Sequence, residues 1–110
     1  MLNPEEFSAL LLTIENTSLE KNRLDLAHLT TNQNCLTTSQ IISIMNTFSF
    51  EASKLEFAKN AYDNCLDQNN YFMLMNHFSF SSSVTDLTNL YSNKVNFYNT
   101  IEIRINNLIE

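Results

Sequence analysis

The chain contains nearly the same seven-residue sequence motif twice, thirty residues apart. Ile44-Met-Asn-Thr-Phe-Ser-Phe50 returns as Leu74-Met-Asn-His-Phe-Ser-Phe80, with five of the seven residues identical. A fixed period of this length is typical of repeat proteins, in which each unit is one supersecondary structure. The repeat therefore constrains the fold before any single element is assigned.

An earlier, third copy extends the pattern toward the N-terminus. The segment from Leu19 to His28 aligns with the segment from Phe50 to Lys59, and Glu, a basic residue, Leu, an acidic residue, an apolar residue and Ala fall in the same order in both. Each copy predicts a helix, a tight turn at Ser or Thr, and a second helix, in about thirty residues. We expect an all-α fold of three antiparallel helical hairpins in tandem, followed by a C-terminal helix or strand.

Capping patterns predict where several of the helices begin. Asn3, Pro4 and the two acids that follow them predict an N-cap, a proline at the first helical position, and negative charge near the positive end of the helix dipole. Three capping-box patterns predict later helix starts: Thr17 to Glu20, Thr37 to Gln40 and Ser83 to Asp86. A fourth helix start is predicted at Ser49, as a capping serine.

Apolar spacing predicts which helix faces are buried and where the fifth helix lies. That helix should cover Tyr71 to Phe78. In the second helix the inward face should consist of Leu19, Leu24, Leu26, Ala27 and Leu29.

The segment from Lys94 to Glu110 fits two structures. Its apolar residues keep helical three-four spacing, but Thr100 to Asn106 alternates strictly and is β-branched, as a half-buried strand would be. We favour a seventh helix, because a lone strand would need a partner that the helices do not supply. We expect residues 1–92 to form the helical-repeat domain, and residues 93–110 to form a tail that packs on it or on a partner.

The repeated segments also resemble a known protein family. Residues Phe48 to Asp63, then Asp67 to Tyr71 and Phe78 to Phe80, resemble the family known as domain of unknown function 4476, and the resemblance covers roughly residues 5–92. That family is commonly found in Bacteroidota, often in exported proteins, and no activity is attached to it. The resemblance thus implies a helical domain and export, whereas a native start at Met1, which no signal-peptide pattern follows, would predict a cytoplasmic protein.

Charge and hydropathy exclude two classes of partner. The net charge is −6, and the six Lys and Arg residues are scattered, so no basic patch is available to neutralise phosphates. No apolar run approaches the roughly twenty residues that span a bilayer. We expect neither nucleic-acid binding nor membrane insertion.

The two cysteines are one repeat length apart. Cys35 and Cys65 would occupy corresponding places in neighbouring hairpins, so a disulfide between them is one prediction for an exported protein. Two unpaired thiols in a helical core are the favoured alternative, because Cys65 lies on an apolar stripe.

Metal or catalytic chemistry has weaker support. Cys35, Cys65, His28 and His77 could supply four zinc ligands, but no pair has the short spacing of a structural site. No nucleophile motif frames the serines, and the acids fall on outer helix faces, where solvated charge is usual. We expect no enzyme activity and no cofactor.

These observations favour a non-catalytic interaction or scaffold module built from helical hairpins. Its contacts, with another protein or with a second copy, are predicted at the apolar residues left over in the tail, Phe97, Tyr98, Ile103 and Ile109. The alternative is a small-ligand-responsive or metal-responsive domain that uses the cysteines and histidines.

Overall fold

The structure is a computed structural model that describes residues 1–109, without the side chains of Phe97, Tyr98 and Ile109. Five α-helices and two 3₁₀ helices make up the fold, and the described residues contain no strand. The α-helices are α1 (Pro4–Glu15), α2 (Glu20–Gln33), α3 (Thr38–Met45), α4 (Glu51–Ala61) and α5 (Ser81–Ile109). A 3₁₀ turn (Tyr62–Asn64) follows α4, and a 3₁₀ helix (Gln68–His77) precedes α5.

Two of the predicted caps are present as expected. The Asn3 side chain accepts from the Glu6 N–H at 2.8 Å, and the Glu6 carboxylate accepts from the Asn3 N–H at 3.0 Å. At the start of α3, Thr37 and Gln40 form the same reciprocal pair. Each of these capping boxes satisfies two backbone donors at the helix start.

Other predicted helix starts were wrong. Leu19 and Phe50 are the N-caps of α2 and α4, and neither helix has a side-chain cap. The Thr17 hydroxyl donates back to the Thr13 carbonyl at 2.9 Å instead. Helix α5 begins at Ser81, so Ser83 lies inside it.

Two further differences concern helix type and length. The segment predicted as a fifth α-helix is a 3₁₀ helix that begins at Gln68 and ends at His77. The tail is helical, as favoured over a strand, but it continues α5 without a break and is no separate seventh helix.

The core follows the thirty-residue period. Ile14, Ile44 and Leu74 are all fully buried, one on each of α1, α3 and the 3₁₀ helix. Helix α4 packs between α2 and α5, while α3 packs against both α1 and the 3₁₀ helix. The predicted inward face of α2 is partly wrong, because Leu19 and Leu29 are exposed.

Tyrosines join the last three elements. Tyr62 packs edge-on against Tyr71 and Tyr91, with ring centroids 5.0 Å and 5.5 Å apart. The buried Tyr71 hydroxyl donates to the Ala58 carbonyl, and burial raises the pKa of Tyr71. These contacts fix the 3₁₀ helix and the first half of α5 on α4.

Candidate interaction surface

A glutamate at the start of one helix holds the turn before another helix, and this happens twice. Glu20 at the start of α2 accepts the Ser49 N–H with Oε1 at 2.8 Å and the Phe50 N–H with Oε2 at 2.7 Å. We call Glu20, Arg23 and the turn 47–50 the first junction. It fixes the backbone of a turn that is about thirty residues away in the chain.

A second junction has the same arrangement about thirty residues later in the chain. Glu51 at the start of α4 accepts the Ser79 and Phe80 N–H groups at 2.7 and 3.0 Å, but both with the same oxygen, Oε1. We define the second junction as Glu51, Lys54 and the turn 78–80. Both glutamates therefore accept two backbone N–H groups of a turn that is distant in the chain.

The junctions lower the pKa of both carboxyl groups. Partial burial raises the pKa of Glu20, but hydrogen bonds from Ser49, Phe50 and the Ser53 hydroxyl, with the Arg23 charge, outweigh it. The net pKa of Glu20 is therefore below its ordinary value. The pKa of Glu51 is lowered by the equivalent donors, of which the Phe80 N–H is the strongest.

Arg23 ties two turns together at the first junction. Its Nη1 donates to the Thr47 carbonyl at 2.6 Å, and its Nε and Nη2 donate to the Thr17 carbonyl at 3.1 and 2.9 Å. A guanidinium presents several donors in a fixed plane, so it can serve both carbonyls at once. The turns before α2 and α4 are thereby held side by side.

Each held turn exposes one large apolar side chain. Leu19, Phe50 and Phe80 come directly before α2, α4 and α5, and their side chains are 63%, 64% and 60% exposed. The two phenylalanines of the Phe48-Ser-Phe50 motif differ, because Phe48 is buried and Phe50 is exposed. We call Leu19, Phe50 and Phe80 the turn row.

Asp67 forms a third link, between the segment 65–67 and α3. Its Oδ1 accepts the Thr38 N–H at 2.6 Å, and its Oδ2 accepts from the Asn70 amide at 3.0 Å. Partial burial raises the pKa of Asp67, but these bonds outweigh it and lower the pKa to about 2. The neighbouring Cys65 thiol lies 3.3 Å from the Thr38 hydroxyl, and burial raises the pKa of Cys65.

The predicted cysteine pair lies at an isolated parallel bridge. The Leu36 N–H donates to the Asn64 carbonyl at 3.1 Å and the Leu66 N–H donates to the Leu36 carbonyl at 2.8 Å, so Leu36 lies opposite Cys65. The residue that pairs with Cys65 at this bridge is therefore Leu36 and not Cys35. Both are free thiols in the structure, Cys35 exposed and Cys65 buried.

The two histidines lie in different places. His28 Nε2 is 3.8 Å from the Glu56 carboxylate and its ring packs near Phe57, whereas His77 Nδ1 is 3.3 Å from the Asn46 amide. The four residues of the metal alternative are therefore not assembled by these contacts. In the part of the chain that the structure describes, no three His, Cys, Asp or Glu side chains are grouped so as to hold a metal ion.

Of the predicted contact residues in the tail, the structure describes the side chain of one. Ile103 is 60% exposed, while the side chains of Phe97, Tyr98 and Ile109 lie outside the described residues. The turn row and the two junction glutamates were missed. Their signal was present in the sequence, because Leu19-Glu20, Phe50-Glu51 and Phe80-Ser81 fall at matching places of the three copies.

Comparison with known protein families identifies a match for most of the chain. Over residues 1–91 the chain matches the model of a family described as "Domain of unknown function (DUF4476)". No match was found among curated proteins or among solved structures. Within residues 1–109, no helix has both the length and the apolar character needed to cross a bilayer.

Proposed function

This chain belongs to the DUF4476 family, and from its contacts we propose that it is a non-catalytic protein-interaction module made of three helical hairpins in tandem. The hairpins would be α1 with α2, α3 with α4, and the 3₁₀ helix with α5. The turn row would be its principal binding surface.

Contacts that recur from unit to unit support the tandem arrangement. Besides the two junctions, side-chain pairs link successive second helices at matching positions: His28 of α2 lies 3.8 Å from the Glu56 carboxylate of α4, and Lys59 of α4 lies 4.0 Å from the Asp86 carboxylate of α5. Equivalent residues thus contact the next unit in an equivalent way, which is the nearest-neighbour pattern of a solenoid.

The observation that carries the binding role is the combination of a rigid backbone with an exposed apolar side chain. The N–H groups of Phe50 and Phe80 are bonded to glutamates, yet their aromatic side chains are left in solvent. Neighbouring packed helices lie about 8–10 Å apart, so the turn row spans roughly 20 Å. Aromatic side chains are enriched at binding hot spots, and a backbone that is already fixed lowers the conformational entropy lost on contact.

Charge narrows the class of partner. Residues 1–92 hold ten acidic and four basic residues, which is the whole net charge of −6. A protein segment with apolar and basic side chains would complement this domain, because opposite charge speeds encounter and apolar side chains could cover the turn row.

The test compares three immobilised baits in an extract of the native cells. A Leu19→Ser, Phe50→Ser, Phe80→Ser variant should lose a partner that the wild-type protein retains. A matched control, Leu12→Ser with Phe72→Ser, removes two other exposed apolar side chains and should retain it. All three proteins should melt within a few degrees of one another, since the substituted side chains are exposed.

Two results would contradict the proposal. Equal retention of the partner by the triple variant would show that binding does not use the turn row. A stoichiometric metal in the purified wild-type protein would instead support the metal-responsive alternative.

A further inference from the structure

Helix α5 changes its environment halfway along its length. It is one helix of 29 residues, and in its first part Leu87 is buried, Leu90 and Tyr91 pack on the core, and Lys94 Nζ lies 3.1 Å from the Asp63 carboxylate. Farther on, the exposed fractions of the isoleucine and leucine side chains at 101, 103, 105 and 108 range from 39% to 86%. The last turns of α5 therefore project from the domain with apolar side chains in solvent.

The projecting segment is a poor helix former by itself. Residues 93–109 include no alanine, five asparagines and six β-branched residues. Asn, Ile, Val and Thr all have lower helix propensity than Ala or Leu, and most of the stability of helices in proteins comes from the packing of an apolar face. A helix here needs packing to stabilise it.

Its apolar residues continue a stripe that is already buried. With a rotation of about 100° per residue, Ile101, Ile105 and Leu108 lie on the same helix face as Leu87 and Tyr91. The two nearer residues of this face pack on the core, and the three farther ones are exposed. Ile103 lies on the opposite face, so the helix separates it from the stripe.

We propose that a second copy of this chain covers the stripe Ile101, Ile105 and Leu108, helix against helix, and that this association stabilises the end of α5. The inference rests on the proposed interaction role, for which it names the partner of a second surface. Heptad-spaced apolar residues at the 3.5-residue repeat are what paired helices use as a seam.

Charge favours a second copy over a foreign basic partner at this site. Residues 93–110 hold two acidic and two basic residues and are neutral, whereas residues 1–92 carry the net charge of −6. Two copies that meet through their tails keep the mutually repelling domains apart. A basic partner would be attracted to the acidic domain instead of the neutral tail.

The test measures solution mass and far-ultraviolet circular dichroism of the full chain over a wide range of protein concentration. We expect a dimer that dissociates on dilution, with helix content falling as the monomer forms. Ile101→Asn with Ile105→Asn should raise the dissociation constant by roughly a hundredfold or more, because four apolar side chains leave the seam. Ile103→Asn is the matched control and should leave the dimer intact.

Three outcomes would overturn the inference. They are a monomer at every concentration with unchanged helix content, a dimer that survives the seam substitutions, and a dimer that Ile103→Asn weakens as much as the seam substitutions do. The last would indicate a strand-like contact, in which 101, 103 and 105 share a face. The turn-row variant should remain dimeric, so failure at the tail and failure at the turn row are distinguishable.

Discussion

The first and second junctions use the same acid for the same purpose but differ in how firmly it is held. At the first junction Glu20 engages one N–H with each oxygen, and Arg23 bonds two turns through their carbonyls. At the second junction one oxygen of Glu51 serves both N–H groups, and Lys54 contributes its charge. The acid gives the recurring geometry, and the arginine adds a second set of bonds.

The largest expected loss of stability comes from removing the Arg23 guanidinium at the first junction. Arg23→Met keeps the aliphatic stem but removes the donors to the Thr17 and Thr47 carbonyls, and should lower the free energy of unfolding by about 2–3 kcal/mol. Lys54→Met at the matching position should change it by less than about 0.5 kcal/mol, because a surface charge pair contributes little. Chemical denaturation of both variants measures the difference.

Equal losses in these two variants would contradict the comparison. A double-mutant cycle between Arg23→Met and Glu20→Gln adds a control, since residues that act in one network should show a coupling energy well above zero.

The second prediction concerns the glutamates themselves. Gln at position 20 keeps one acceptor oxygen but turns an NH₂ group toward a backbone N–H, so Glu20→Gln should cost about 1–2 kcal/mol of stability. Gln at position 51 can still accept both N–H groups with its single oxygen, and Glu51→Gln should cost clearly less. Thermal and denaturant unfolding of the two single variants provide the measurement, and a larger loss at position 51 would reverse the order of the junctions.

Low pH should destabilise the fold by protonating carboxyl groups whose pKa is lowered in the folded chain. The largest contribution should come from Asp67. Its ordinary pKa of 3.8 falls to about 2 in the folded chain, so its contribution is complete above its unfolded pKa and is lost as the pH falls from about 4 toward 2. Asp67→Asn should lose about 1–2 kcal/mol near neutral pH. It should also show a shallower decline of stability across that acid range than the wild-type protein, and parallel pH curves would rule out this role.

Local capping patterns were predictable, and the others were not, for one physical reason. Asn3 with Glu6 and Thr37 with Gln40 have all their partners within three residues, so the sequence alone specifies them. The box predicted at Thr17 fails because Glu20 is recruited by a turn thirty residues away. That competition depends on tertiary packing, which a local pattern does not contain.

The same limit applies to the candidate surface. Helical spacing correctly predicts that Ala27 is buried and that Leu24 and Leu26 pack on the core, but it cannot distinguish a residue inside a helix from an N-cap residue. For that reason Leu19 was predicted to face inward and is exposed. Nor does apolar spacing separate an α-helix from the 3₁₀ helix Gln68–His77, because i and i+3 contacts occur in both.

The smallest expected effect tests why the glutamates are there at all. Ser81 is the first residue of α5 and stands at the place of Glu20 and Glu51, and α5 has no acid in its first turn. Ser81→Glu should therefore add only the favourable interaction of an acid with the helix dipole, about 0.3–1 kcal/mol, and added salt should reduce it. Ser81→Gln is the uncharged control and should change the stability little.

If the stability gained by Ser81→Glu equals the stability lost by Glu20→Gln, and both vanish in salt, the glutamates act through helix dipoles, and the turns they touch are not held by them. A small, salt-sensitive gain beside a larger, salt-resistant loss is the expected result, because charge-assisted bonds to backbone N–H groups are short-ranged and weakly screened.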